Sequence, residues 1–228
     1  MSSLNKVHLD GMVEACRMVG AAGGRSVAKL TVLTLHPREN LDAPPSEAFE
    51  KAHHVVRVLA PEGDALGREL ESLSKELRVE RASGSPDLAV PHPCSLDGVL
   101  RTVDGETFID VDGKDFRFTE KVGLSAGNNV AVLEGRVKSV SYTDGSARVN
   151  VSAKEGDVSV LFARDANPEG WNLISSGRLR SGDRVSLSGP LFDRVFTDGH
   201  RRQREYFLTP QRLEKLVLEK KRAAGVSM

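Results

Sequence analysis

Asn5-Lys6-Val7-His8-Leu9-Asp10-Gly11-Met12-Val13 aligns without a gap on Asn129-Val130-Ala131-Val132-Leu133-Glu134-Gly135-Arg136-Val137, 124 residues later. Each copy alternates small or β-branched residues with polar ones, as a strand with one buried face does, and then reaches an acid followed by glycine. Glycine at that point lets a strand bend sharply where another backbone comes close. The echo implies a duplicated unit. The 228 residues then divide into an N-terminal domain over 1–123 and a C-terminal domain over 124–228, close to the usual domain size of roughly 100 to 150 residues.

Both copies continue in the same order. After the first come strands at Val27 to Leu35 and His54 to Leu59, separated by a polar loop with Pro44-Pro45. A helix follows over Asp64 to Leu77, with Leu66, Leu70, Leu73 and Leu77 on one stripe. Two strands close the unit, one passing through Leu96-Asp97-Gly98, with hairpin signals at Asp104-Gly105 and Asp112-Gly113. After the second copy come strands at Ala147 to Ser152 and Val158 to Ala163 and a short helix near Asn172 to Leu179. Then follow a strand ending at Gly189 and a hairpin from Phe192 to Leu208 around Thr197-Asp198-Gly199. Three strands, a helix and two strands is the order of a five-stranded oligonucleotide-binding (OB) barrel. The expected fold is all-β with a minor helix per domain, as two tandem five-stranded OB-fold barrels. Thr209 to Arg222 reads either as a helix begun by Pro210 or as a closing strand running to Leu216.

Composition narrows the function. Lysine plus arginine equals aspartate plus glutamate at 32 each, so any anion-binding surface must come from local segregation of charge. Cys16 and Cys94 lack metal-type spacing and read as reduced intracellular thiols. No secretory h-region or membrane span is evident, which points to a cytoplasmic protein with no membrane partner. Enzyme signatures fail: Gly20-Ala21-Ala22-Gly23-Gly24-Arg25-Ser26 is one residue short of a phosphate loop and has arginine where lysine is needed. Gly-x-Ser-x-Gly, His-Glu-x-x-His and Cys-x-x-Cys are all missing. His53-His54 has no spaced partner for a metal. No catalysis, cofactor or metal is expected.

Several stretches resemble the bacterial single-stranded DNA-binding protein family. Leu4-Asn5-Lys6-Val7-His8-Leu9-Asp10-Gly11 is similar to its opening strand, and Ala52-His53-His54-Val55-Val56-Arg57-Val58 to its Trp-His-Arg-Val-Val strand without the tryptophan. Leu179-Arg180-Ser181-Gly182-Asp183-Arg184-Val185-Ser186-Leu187-Ser188-Gly189 resembles its Leu-Arg-Lys-Gly-x-x-Val-x-x-x-Gly, Phe196-Thr197-Asp198-Gly199 its Trp-Thr-Asp-Gly, and Arg204-Glu205-Tyr206 the Arg-Tyr that follows. The resemblance implies single-stranded DNA as partner and a homodimer or higher homo-oligomer, since some members carry two OB folds per chain and dimerise. It also implies DNA replication, repair and recombination as settings. The family's acidic tail, which docks replication and repair proteins, is not matched by the ending Lys220-Lys221-Arg222-Ala223-Ala224-Gly225-Val226-Ser227-Met228.

Binding unpaired strands needs flat rings for bases and cations for the backbone. Phe192 to Phe207 holds four arginines and four aromatics in sixteen residues, in a chain only 5% aromatic. Phe196 and Tyr206 are the candidate stacking platforms, and Arg194, Arg201, Arg202 and Arg204 the candidate phosphate contacts. Phe192 and Phe207 read equally well as core. Trp171, in a loop after Pro168-Glu169-Gly170, stacks a base or caps the barrel mouth. Tyr142, in the loop between the first two strands, and Arg136, on the strand before it, are further candidates. In the first domain Asp97 to Glu120 is acidic and should repel phosphate. That domain either binds on another face through Lys6, Arg17, Arg25, His54 and Arg57 or serves mainly for assembly, and assembly or weak binding is the reading favoured here. Two alternatives to single-stranded DNA binding stay open: an OB-fold protein-interaction adaptor without strong nucleic-acid binding, and an RNA-binding OB protein.

Overall fold

The structure, a computed structural model, describes residues 4–37, 49–83, 92–103, 106–121, 128–143, 146–153, 155–164, 168–198, 201–209 and 212–216. The chain is mostly β. The first copy consists of β1 (Asn5–Ala22), β2 (Arg25–Pro37), β3 (Phe49–Pro61), α1 (Ala65–Ser83), β4 (Pro93–Val103), β5 (Glu106–Asp112) and β6 (Phe116–Phe118). The second consists of β7 (Asn129–Thr143), β8 (Ser146–Ala153), β9 (Gly156–Ala163), α2 (Pro168–Ser175), β10 (Arg184–Gly189), β11 (Leu191–Asp198), β12 (Arg201–Leu208) and β13 (Arg212–Lys215). All-β with one helix per copy is therefore the observed class.

The duplication extends to strand pairing. In the first copy β1 pairs antiparallel with β2 and β4, β2 with β3, and β4 with β5, while β3 and β5 pair in parallel. These neighbours form a cycle. In the second copy β7 pairs with β8 and β10, β8 with β9, and β11 with β12, and β9 joins β12 in parallel. Only Pro190 separates β10, ending at Gly189, from β11, starting at Leu191, so the strand order matches that of the first copy. Both first strands carry a bulge after the echoed glycine, where the register to the second strand shifts between Val13 and Ala15 and between Val137 and Ser139. The extra residue tightens the local twist and helps the strand coil.

The echoed residues explain why the pattern recurs. A Cβ on Gly135 would sit 2.5 Å from the Ser152 carbonyl oxygen, and one on Gly11 closer still to that of Leu33. Only glycine lets the first strand approach the second this closely. The asparagines act as clamps. Asn5 Nδ2 donates to Leu100 O at 2.8 Å while Asn5 Oδ1 accepts from Leu100 N at 3.0 Å. Asn129 does the same to Leu191 O and N, at 2.6 and 3.0 Å. Both leucine peptides lie two residues beyond a glycine of the fourth strand, Gly98 or Gly189, where a bending strand loses its ladder partners.

The two copies share one sheet and one apolar core. β1 and β7 pair antiparallel from Asn5↔Leu133 to Leu9↔Asn129. α1 turns Leu70, Leu73 and Leu77 inward as expected and extends to Ser83; Asp64 accepts from the Gly67 N–H at 2.6 Å to start it. The second helix lies earlier than its sequence pattern indicates. Pro168 suits a first helical turn, and Gly177, at φ 68°, ends it with its N–H donating to Ile174 O. Asp112-Gly113 does not form a hairpin: Asp112 accepts from the Lys114 N–H, and a 3-10 turn over 113–115 carries β6 back to β4. The strand reading of Thr209 to Leu216 is the observed one, since β13 pairs with β10.

Candidate nucleic-acid interface

On β12 the backbone alternates Tyr206 and Leu208 inward with Phe207 half-exposed between them. Tyr206 is therefore not a free platform. It is 2% exposed, its hydroxyl accepts from the Val55 N–H at 2.5 Å, and its ring lies parallel to His54 at 6.2 Å. A base cannot reach it. The half-exposed ring is Phe207, stacked at 5.7 Å on the buried Phe192, which also meets His36 at 5.3 Å.

Tyr206 and Asp193 have a different task. Beyond its pairing with β5, β3 would leave the N–H groups of His53 and Val55 without ladder partners; Asp193 Oδ1 accepts the first at 2.7 Å and Tyr206 the second. The stem of the second copy's last hairpin is thus rooted on a strand of the first. Beneath it Thr34, His54 and Asn129 form a buried polar cluster, with Thr34 Oγ1 2.9 Å from His54 Nε2 and Asn129 Nδ2 donating to Thr34 Oγ1 at 3.3 Å. His54, a candidate contact from sequence, is fully buried here and is a structural residue. His36, beside the cluster, has its pKa lowered from the ordinary histidine value, chiefly by burial, with a hydrogen bond to the Asn129 backbone and the charge of Glu50 acting the other way.

Arg57 is engaged as well. Its Nε and Nη2 donate to both oxygens of Asp110 at 2.8 and 2.9 Å, and its guanidinium lies 4.5 Å over the Phe108 ring. The hydrogen bonds to Asp110 raise its pKa further. As a phosphate contact it is thereby corrected: a bidentate carboxylate already fills the fork that a phosphate would take.

Trp171 lies on α2 instead of in a loop, partly buried and packed against the core. Tyr142 is 56% exposed near the end of β7, with its hydroxyl donating to Ile174 O at 2.9 Å. Its ring is held at the surface by α2. Arg136 is exposed on β7, donating to Gly182 O at 3.1 Å. Arg194, Phe196, Arg201, Arg202 and Arg204 lie on β11 and β12, whose backbones pair Arg194 with Glu205 and Thr197 with Arg202. Their side chains lie outside the described residues.

No family model and no curated protein matches the sequence. Among solved structures, the wild-type single-stranded DNA-binding protein from Thermus aquaticus is similar at a TM-score of 0.63 and 20% identity, over 99% of this chain and 98% of that one. The chain shares the fold of the Thermus protein. A deletion mutant of the Thermus protein gives a TM-score of 0.61 at 18% identity, over 97% of this chain and 98% of that one. The likeness spans the elements of both copies.

Sequence reasoning missed three things about this surface: the exposure of Phe207, the rooting role of Asp193 and Tyr206, and the ion pairs over the first copy. Asp193 pairs across the ladder from Tyr206, so both side chains take the same side of the hairpin. The register that puts them there is not written in the local pattern. Among the described residues, no helix is long and apolar enough to cross a membrane, and no group of histidine, cysteine and acidic residues is placed to hold a metal.

Proposed function

We propose that this chain binds single-stranded DNA with little sequence preference and without catalysis, on two tandem five-stranded OB barrels at residues 1–123 and 124–228. The observation that carries the reading is the likeness, over 99% of the chain, to a protein that binds single-stranded DNA. The closed pairing cycle of the first copy and the matching strand order of the second support it, because barrels of this kind take oligonucleotides on an outer face. The arginine-rich hairpin of β11 and β12 supplies the cations and rings that the chemistry requires. In this reading Phe196 and Phe207 stack bases, worth about 1 to 3 kcal/mol each. Arg194, Arg201, Arg202 and Arg204 neutralise phosphates, and Arg136 and Tyr142 extend the path. The chain associates with itself as a homodimer or higher oligomer, which would cover its remaining strand edges.

The test is a titration of fluorescent oligothymidine with the full chain at several salt concentrations. Affinity should fall linearly on a log–log plot as counterions are released. Phe196→Ala together with Arg202→Ala should weaken binding by roughly fivefold or more with the fold intact. Salt-independent or undetectable binding refutes the reading, and equal competition by a matched RNA oligomer would move it to RNA.

A further inference from the structure

We infer that the outer face of the first copy is a masked phosphate site, in which Glu106 and Asp110 hold, with their carboxylate oxygens, the bonding directions of Lys29 and Arg57 that a strand's phosphates would otherwise take. The inference rests on the reading above and sharpens it: strand contacts are confined to the second copy because the first neutralises its own cations. A groove of about 280 Å³ runs over this face, lined by Val19, Val27, Lys29, Arg57, Glu106 and Phe108 among others. Its components are those a single-strand groove needs, two cations beside a ring with apolar walls. Each is already occupied from within. Lys29 Nζ donates to Glu106 Oε1 at 2.5 Å, Arg57 grips Asp110 in bidentate fashion, and the same guanidinium lies over Phe108. Asp110 also holds Arg101 Nε at 3.3 Å, and Arg101 Nη2 reaches Glu155 Oε2 at 2.9 Å. At the rim Arg25 meets Asp112 at 3.5 Å.

The second copy offers an internal comparison, because the registers fix equivalent positions. Val56 pairs with Ile109 as Val160 does with Leu208, Lys29 pairs with Arg57 as Arg148 does with Leu161, and the clamped Leu100 corresponds to Leu191. The positions of Arg57, Arg101 and Asp110 are taken by Leu161, Phe192 and Thr209, while Phe108 and Phe207 coincide. The second copy keeps a cation and an acid, Arg148 and Glu205, at the positions of Lys29 and Glu106, so the contrast between the copies lies at Arg57, Arg101 and Asp110, where the second copy is aliphatic, aromatic or uncharged. A cation already neutralised by a carboxylate does not neutralise a phosphate, so it displaces no counterion from the strand and adds nothing to the salt-dependent part of binding.

The experiment compares oligothymidine titrations of the full chain as wild type, Glu106→Gln, the double variant Glu106→Gln with Asp110→Asn, and Lys29→Ala, with circular dichroism as the check on folding. Glu106→Gln acts at a solvent-exposed pair, so it tests the idea even where the double variant fails to fold. Freeing one cation should steepen the salt dependence by about 0.7 on the log–log slope, and freeing Lys29 and Arg57 together by about 1.4, with at least about a fivefold gain in affinity at low salt. Lys29→Ala in the wild-type background should leave affinity and slope unchanged, and the same substitution added to Glu106→Gln should abolish the gain. An unchanged slope in Glu106→Gln, or a loss of affinity on Lys29→Ala alone, overturns the inference while leaving the proposed function standing. If the wild type does not bind oligothymidine but the unmasked variants do, the proposed function falls and the masked site holds. If none binds, both fall.

Discussion

Replacing Asn129 by leucine removes the clamp on β11 at nearly constant side-chain volume. Leu191 is fully buried, and both its N–H and its C=O bond to the Asn129 amide. In Asn129→Leu these two backbone groups face an apolar side chain with no water within reach. A buried polar group left without its partner costs about 1 to 3 kcal/mol, so the pair should cost about 2 to 6 kcal/mol. That is a large share of the roughly 5 to 15 kcal/mol that typically separates folded from unfolded chains. Urea unfolding followed by the fluorescence of Trp171, the chain's one tryptophan, on α2 in the same copy, reads the change directly. The midpoint should fall with the slope unchanged. Asn5→Leu should cost a similar amount through Leu100, slightly less because Asn129 also bonds Thr34. A loss below about 1 kcal/mol in either variant would mean that the leucine peptides have other partners, and the clamp argument would fail.

Tyr206→Phe leaves the Val55 N–H without its acceptor and should cost about 1 to 3 kcal/mol in the same urea assay; a neutral result would show that the hairpin stem is not anchored through the hydroxyl. Gly135→Ala forces a methyl group into the Ser152 carbonyl and should destabilise by about 1 to 3 kcal/mol, whereas the same change at Gly177 meets open space but a left-handed backbone. Burial holds His36 below the ordinary value of 6.5, so the folded chain favours its neutral form and the unfolded chain binds more protons beneath that pH. Its contribution is complete above pH 6.5 and is lost as pH falls from there through the lower folded value; His36→Gln should flatten this limb of the stability profile, and an unaltered profile would contradict the assignment. Burial pushes the Cys16 and Cys94 thiols up to about 11 and about 12. At pH 8 about one thiol in a thousand or fewer is ionised, so a disulfide reagent should label the native chain slowly and the urea-unfolded chain fast.

The echo of Asn5 to Gly11 at Asn129 to Gly135 was enough to indicate two copies, their strand order and the stripe of α1, because these depend on residues near one another in sequence. Alternation, helical spacing and a glycine at a bend are local properties of the chain. The echoed asparagine was legible as a repeat but not as a clamp, since its partners Leu100 and Leu191 lie 95 and 62 residues away. Which ring is free was also beyond local reading. Tyr206 and Phe207 are neighbours, and a shift of one residue in register would exchange their sides. That register is set by the ladder to Phe192 and Asp193 and by the edge of β3, which needs hydrogen-bond acceptors for His53 and Val55. In the same way, the acidic run from Asp97 to Glu120 could be seen to repel phosphate, but only the packed sheet brings Asp110 between Arg57 and Arg101. Local sequence thus determined the elements and their duplication, whereas pairing between distant strands decided which side chains face outward and which charges are already matched.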